Sequence, residues 1–335
     1  MISLCTLFDH RYLDKGLSLH ASLLQQGYPF NLWILCMDSD SYHALSRLKL
    51  ENVTLVTVED LERHDQDVSR ARSNRSLVEF YFTIKSFLCL YILDSHPYVD
   101  LITYLDADLY FFGSPAVIIE EMTGYSIGIT PHRFPVHLKQ SEQYGLFNAG
   151  FISIRRDETG TSCLRWWRNS CFTWCHDYVS EGRFADQRYL DNILDIFPNV
   201  KSIRNKGINA APWNISQYRC SRKGDIIKID DDVLTLYHFH GIRKLYPFLY
   251  DSGLASHHNV LHKTVRQFIY MPYLRVLYGH QVPEFKQKSD GSIRVTAGRL
   301  DVLKRFLPRL WRSIYHIKDI LTGFYYRSLI FYFKA

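Results

Sequence analysis

The chain has 335 residues, 47% hydrophobic, 22% charged and 15% aromatic. That composition is globular rather than disordered, and the length suffices for one or two domains with a large core. The net charge of +6 is confined to the end, because eight bases and two acids lie between Arg299 and Ala335. Residues 1–298 are therefore close to neutral and carry no nucleic-acid signal.

Met1–Leu7 reads as a strand, and a helical pattern follows over Leu13–Gln26, stopping at Gly27. Phe30–Met37 is a continuous apolar run with the length of a buried strand. Asp38–Leu50 is helical, Val53–Val58 a strand, Ser76–Leu93 a long helix and Leu101–Leu105 a strand. Strands alternating with helices predict an α/β fold, a mostly parallel central sheet flanked by helices. Ligands bind such sheets beyond the carboxyl ends of the strands. Asp9 stands just beyond the first strand, and Asp106 and Asp108 just beyond the fourth. Further on, Tyr125–Thr130 and Ala149–Ile154 read as strands around a polar loop, Ser162–Val179 and Ala185–Ile196 as helices, and Val233–Gly241 as a strand ending in two histidines. The seven cysteines sit mostly in apolar runs and no secretory pattern opens the chain. The expectation is a reduced, cytoplasmic protein. Cys171, Cys175 and His176 share one helix face. Buried thiols are favoured there over a metal site, since no second ligand pair follows.

The chemistry concentrates in two stretches. "LITYLDADLYFFG" places Asp106 and Asp108 around Ala107 at the tip of a buried strand. Unpaired carboxylates in an apolar setting are costly, and oxygen ligands suit Mg²⁺ or Mn²⁺. The bland alternative is a pair of turn or N-cap aspartates. "HFHGIRK" supplies His238, an imidazole suited to Mn²⁺, then Gly241 for close backbone approach and Lys244 as a point charge for phosphate.

Six stretches in order resemble glycosyltransferase family 8, the family of glycogenin and of bacterial lipooligosaccharide galactosyltransferases. "SLCTLFDHRYLDKGLSLHASL" resembles the opening strand, and the likeness implies that Thr6, Asp9 and Tyr12 hold uridine. "FTIKSFLCLYIL" resembles the helix with a basic residue near the diphosphate, here Lys85. "YLDADLYFFGSP" is similar to the D-x-D strand, which implies metal and donor contacts by Asp106, Ala107 and Asp108. "FNAGFISI" and "ADQRYLDNIL" resemble the segments that set Asn148, Asp186 and Gln187 beside the donor sugar. "HFHGIRK" fits H-F-x-G-x-x-K, implying metal binding by His238 and diphosphate binding by Gly241 and Lys244. The sequence departs from the family after the strand at Tyr125, where "ITPHRFP" stands in place of the family's Asp.

The resemblance implies a GT-A fold and a metal-dependent, retaining transfer of a hexose from a UDP-sugar to a saccharide or lipid-linked saccharide. An amide at Gln187 is a poor nucleophile, which favours same-face attack over a glycosyl-enzyme, with Asp186 as the alternative nucleophile. A nucleotidyltransferase would need a Gly-rich, Arg-bearing phosphate loop after the first strand, and "TLFDHRYLDKG" lacks it. A sugar-nucleotide-binding scaffold is the other alternative. The expected organisation is a catalytic domain over 1–250, an extension over 251–298 and a basic, aromatic, helical tail over 299–335. "ILTGFYYRSLIFYF" is too short to span a membrane. The tail could instead lie on an anionic membrane surface or pack on the body.

Overall fold

The computed structural model describes residues 1–246, 248–279 and 327–332. The chain divides into two compact units, Met1–His240 and Gly241–Ala335.

The first unit is built on a sheet of seven strands. In chain order these are β1 (Ile2–Phe8), β2 (Phe30–Cys36), β3 (Val53–Thr57), β4 (Leu101–Leu105), β6 (Ile127–Pro131), β7 (Phe147–Arg155) and β8 (Val200–Ser202), in the spatial order β3-β2-β1-β4-β7-β6-β8. β3, β2, β1 and β4 run parallel, β7 is antiparallel to both β4 and β6, and β8 is parallel to β6. A small second sheet joins β5 (Leu109–Phe111), β13 (Leu236–His238) and β9 (Ile208–Ala210). A separate meander comprises β10 (Cys220–Lys223), β11 (Ile226–Ile229) and β12 (Asp232–Val233).

The continuous apolar runs have a direct cause: both faces of the large sheet are covered. Cys5 and Leu7 of β1 join a cluster with Ile84 and Leu88 of α5 (Leu77–Ser95) and Leu164 and Trp167 of α7 (Glu158–Thr173). Ile2 and Leu4, of opposite parity, join Leu17 and Leu23 of α1 (Leu13–Gln25). The connections hold α2 (Ser39–Leu48), α3 (Val58–His64), α4 (Asp67–Asn74) and α6 (Ala116–Glu121). The helix expected over Ala185–Ile196 is a 3₁₀ stretch, Arg188–Asn192, followed by the short α8 (Ile193–Ile196). Cys171 and Cys175 are buried, while the His176 ring is held by Glu79.

In the second unit β14 (Arg243–Tyr246), β15 (Leu249–Asp251) and β16 (Leu329–Phe331) form an antiparallel sheet, beside α9 (Lys263–Val265), a π-helical turn and α10 (Met271–Gly279). Buried Asp251 accepts from Arg243 Nη2 at 2.8 Å, the Gly253 N–H at 3.1 Å and Ser328 Oγ at 3.2 Å. Leu329–Phe331, within the tail expected to be helical, is instead a strand of this unit. The basic stretch over 299–326 lies outside the described residues. No helix among the described residues is long and apolar enough to cross a membrane.

α5 begins at a capping box in which Ser76 Oγ accepts from the Glu79 N–H and the Glu79 carboxylate accepts from the Ser76 N–H at 2.9 Å. Glu79 Oε1 also lies 2.8 Å from His176 Nδ1. Burial works against the Glu79 charge, but Ser76 and His176 outweigh it and hold the carboxyl at about 2. A carboxylate depressed in the folded state stabilises the fold above the ordinary value of ~4.3 and loses that contribution as pH falls toward the folded value. Glu79→Gln should therefore cost roughly 1–2 kcal/mol at pH 7, the size of a lost cap. The gap from the parent chain should narrow as pH drops from ~4.3 toward ~2. Denaturant titrations across that range measure it, and a gap that widens in acid would contradict the assignment.

Candidate functional site

The site lies where the large sheet hands the chain to the small one. β4 ends at Leu105 and β5 starts at Leu109, so Asp106-Ala107-Asp108 is the turn between two sheets. The Leu109 N–H closes that turn on Asp106 O at 3.1 Å. β13 runs antiparallel to β5 with His238 opposite Leu109, and the Phe239 N–H donates to Asp108 O at 2.8 Å. This register sets the imidazole against both acids: His238 Nε2 lies 3.0 Å from Asp108 Oδ1 and 3.9 Å from Asp106 Oδ2. Ala107 is buried between the two acids in sequence.

His238 Nε2 is buried and faces the Asp108 carboxylate. Its other nitrogen, Nδ1, lies 3.3 Å from Asn209 Oδ1. Burial opposes the Asp108 charge, yet the facing His238 holds this carboxyl well below the usual range. A buried ring nitrogen facing two carboxylates fits a hard or borderline divalent cation. His240 joins them, since one ligand atom from each of Asp108, His238 and His240 lies within 4.8 Å of the others. The expected set of Asp106, Asp108 and His238 thus gains a residue at the x position of H-F-x-G. Asp106 is partly engaged elsewhere, with Oδ1 accepting from Tyr104 OH at 2.9 Å and lying 3.1 Å from Lys85 Nζ.

Lys85 is buried on α5 between two acids, 3.1 Å from Asp106 Oδ1 and 3.2 Å from Asp186 Oδ2. Burial works against its charge, but Asp106 and Asp186 outweigh it and raise the ammonium above its ordinary value. Burial likewise pushes the Asp186 carboxyl up to about 6, with Lys85 pulling the other way. Trp167 Nε1 donates to Asp186 O at 2.9 Å and anchors the backbone there. Asp186 is therefore the counter-ion of Lys85.

A chain of amides runs on from the imidazole. Asn209 Nδ2 donates to Asn148 Oδ1 at 3.0 Å and to Thr130 Oγ1 at 2.8 Å. Asn148 Nδ2 donates to Gln187 Oε1 at 3.2 Å and lies 3.3 Å from His132 Nε2. Burial lowers His132 to about 3, so its ring is neutral near pH 7. Trp213 packs edge-on against His132, His238 and His240, and its Nε1 donates to His132 O at 3.0 Å.

The residues expected to hold uridine lie around the end of β1. Thr6 is buried with Oγ1 making no hydrogen bond. Asp9 is buried, accepting from the Arg11 N–H at 3.0 Å, Arg11 Nε at 2.7 Å and Tyr81 OH at 2.9 Å. Tyr12 is exposed with Lys15 Nζ 3.8 Å from its ring centroid. Gly241 and Lys244 open the second unit, Gly241 at φ 75° and Lys244 exposed on β14. Sequence reasoning did not single out Tyr104, His132, Asn209, Trp213 or His240 as site residues. His240 stood inside a recognised motif. Asn209 and Trp213 stand in "NAAPWNIS", which loosely resembles the family's Asn-plus-Trp segment before the last strand.

Gly150 shows how tightly the centre is packed. A Cβ there would lie 2.6 Å from Asp106 Oδ2, 2.7 Å from Asn148 Oδ1 and 2.7 Å from His238 Cε1. The F-N-A-G stretch thus needs its glycine for room. Gly150→Ala should cost ~1–3 kcal/mol in denaturant unfolding, the usual penalty of overpacking. An unchanged midpoint would show that the three side chains move aside freely.

No protein-family profile matches the chain. Among solved structures it is similar to the galactosyltransferase LgtC in complex with donor and acceptor sugar analogues, with a TM-score of 0.52 and 17% identity over 84% of this chain and 98% of that one. An active-site mutant of LgtC gives 0.54, with the same identity and coverage. The fold is therefore the GT-A type of α/β fold. In sequence the chain is 28% identical to the uncharacterized protein YfnD of Bacillus subtilis (strain 168), over 80% of this chain and 86% of that protein. The uncharacterized protein YfnF of the same organism is 32% identical, over 84% of this chain and 92% of that protein. With that identity over nearly the whole of both proteins, the chain belongs to the same family as YfnF.

Proposed function

We propose that the protein is a divalent-cation-dependent glycosyltransferase of glycosyltransferase family 8 that moves a hexose, with retention, from a UDP-sugar to a saccharide or lipid-linked saccharide hydroxyl. The observation that carries this reading is the meeting of Asp106, Asp108 and Nε2 of His238 beyond the carboxyl end of β4. Asp106, Asp108, His238 and His240 would hold Mn²⁺ or Mg²⁺. Bound there, the cation supplies Lewis-acid stabilisation of the leaving diphosphate.

The chain's own residues do the rest. Lys85 contributes a fixed positive charge that needs no reorientation, because Asp106 and Asp186 already hold it. Asp186 is buried and ion-paired, which disfavours it as a nucleophile. Gln187 Oε1 already accepts from Asn148 and from the Ala149 N–H, and an amide oxygen is a weak nucleophile in any case. Both features support attack by the acceptor hydroxyl from the face the leaving group departs, with the departing phosphate taking the proton. Tyr12 would cover uracil once Lys15 leaves its ring, while Thr6 and Asp9 would meet the nucleoside. Gly241 and Lys244 would meet the diphosphate. The basic segment over 299–326 would hold the enzyme on an anionic surface. Full-length chain should then bind phosphatidylserine vesicles and release them as salt rises; salt-independent binding would count against that role.

UDP release from a panel of UDP-sugars, with and without Mn²⁺, tests the reaction. The parent chain should hydrolyse one donor slowly, and only with cation. Asp108→Asn should remain folded by circular dichroism, lose the Mn²⁺-dependent increment in UDP affinity and lose turnover by ~10²-fold or more. Full turnover by that variant in excess chelator would overturn the proposal.

A further inference from the structure

Buried amides that bond only to one another could point either way, but here their polarity is set by the backbone. Gln187 is fixed at both ends: the Ala149 N–H donates to its Oε1 at 3.3 Å, and its Nε2 donates to the Tyr144 carbonyl at 2.9 Å. The Gly150 N–H donates to Asn148 Oδ1 at 3.2 Å. A backbone N–H cannot accept and a backbone carbonyl cannot donate, so neither amide can turn over without losing its partner. Asn148 must then offer Nδ2 to Gln187 Oε1 and its oxygen to Asn209. The Asn209 Nδ2 group is consumed by Asn148 Oδ1 and Thr130 Oγ1. Only Oδ1 of Asn209 remains, and it faces His238 Nδ1 at 3.3 Å. An acceptor at that position requires hydrogen on Nδ1.

We infer that Asn148 and Asn209 form a one-way amide relay, anchored at Gln187, that fixes hydrogen on His238 Nδ1 and so reserves Nε2 for the cation. This inference rests on the cation-dependent reading above and extends it. Both asparagines act as positioning residues, and the two halves of the site share one hydrogen-bonded line, from the Tyr144 carbonyl to the ring facing Asp106 and Asp108. The β-strand pairings explain how the relay is aimed. Between Leu236 and Tyr237 of β13, the partner strand β9 advances from Ile208 to Ala210, which makes Asn209 the extra residue of a β-bulge. Its φ of 62° is left-handed, a conformation that Asn tolerates better than most side chains. Arg133 secures the bulge by donating from Nη2 to Ile208 O at 2.7 Å. The pairing of β6 with β7 shifts between Ile129 and Thr130, next to the Thr130–Asn148 pair.

The substitution that isolates the amide is Asn209→Gly, because glycine adopts the same φ without strain. Mn²⁺ binding is read by the electron paramagnetic resonance of free Mn²⁺, with the full chain and saturating UDP. N209G should bind Mn²⁺ ~10- to 100-fold more weakly, the usual cost of losing the partner that orients a ligating histidine. Asn209→Asp keeps an acceptor toward Nδ1 and should recover most of that affinity. Long-range ¹H–¹⁵N correlation spectra of the metal-free parent chain should show hydrogen on His238 Nδ1, whatever Nε2 carries toward Asp108. A His238 Nδ1 without hydrogen, unchanged Mn²⁺ affinity in N209G, or N209D no tighter than N209G would each overturn the relay. If the parent chain binds no Mn²⁺ with UDP, the cation-dependent reading fails instead, and the tautomer measurement still decides the relay.

Discussion

The arrangement of the site depends on one strand pairing, that of β13 with β5. Asp108 and His238 are distant in the chain, and only the antiparallel register with His238 opposite Leu109 sets them 3.0 Å apart. Side chains alternate between the faces of a strand, so a slip of one residue would turn His238 away and bring a neighbour's aromatic ring to the acids. The Phe239 N–H bond to Asp108 O at 2.8 Å pins the register at the point where it matters. β5 itself is three residues long and directly follows the acidic turn, so little slack separates the pairing from the carboxylates.

Around that point the structure arranges charge. Two acids and a ring nitrogen crowd one side, and a buried ammonium supplies the opposite sign on the other. Lys85 loses water on burial, a cost that two carboxylates at 3.1 and 3.2 Å offset. α5 makes this possible. It carries Lys85 and Tyr81 one turn apart, and Tyr81 OH bonds Asp9 at the end of β1. One helix thereby engages acids beyond both β1 and β4. Asp186 completes the set as a counter-ion. That role separates it from Gln187, its neighbour in sequence, whose side chain bonds Asn148, the Ala149 N–H and the Tyr144 carbonyl.

Irregular backbone is also found at this place. Arg133, Ala185 and Asn209 are non-glycine residues with left-handed φ values of 54°, 46° and 62°, and each adjoins or belongs to the network. Conformations of this kind cost of order 1–3 kcal/mol and persist when the surroundings over-determine them. Arg133 donates to carbonyls of the segment that carries Asn209, while its own neighbour His132 accepts from Trp213 and Asn214 through its carbonyl. The strain is held by buried hydrogen bonds on both sides.

The sequence by itself determined the layered α/β scheme, because strands covered on both faces must be apolar throughout. Phe30–Cys36 and Leu101–Leu105 are legible for that reason. It also determined where two acids interrupt such a run, and that a histidine ends a later strand. Tertiary structure alone decided which groups meet. Lys85 reads as one base in an apolar helix until Asp186, from a distant segment, is brought to 3.2 Å. Gly150 reads as a small residue in a strand until three side chains close on its Cα. Asn209 stood in a stretch loosely like the family's Asn-plus-Trp segment, but its aim was hidden because a bulge is a property of two strands together, set by the register of β9 against β13 rather than by the residues of either. His240 stood beside a recognised histidine, yet only the fold places its ring within ligand distance of Asp108. Periodicity encodes burial, which is local along the chain, whereas convergence at a site is set by pairings between strands far apart in sequence.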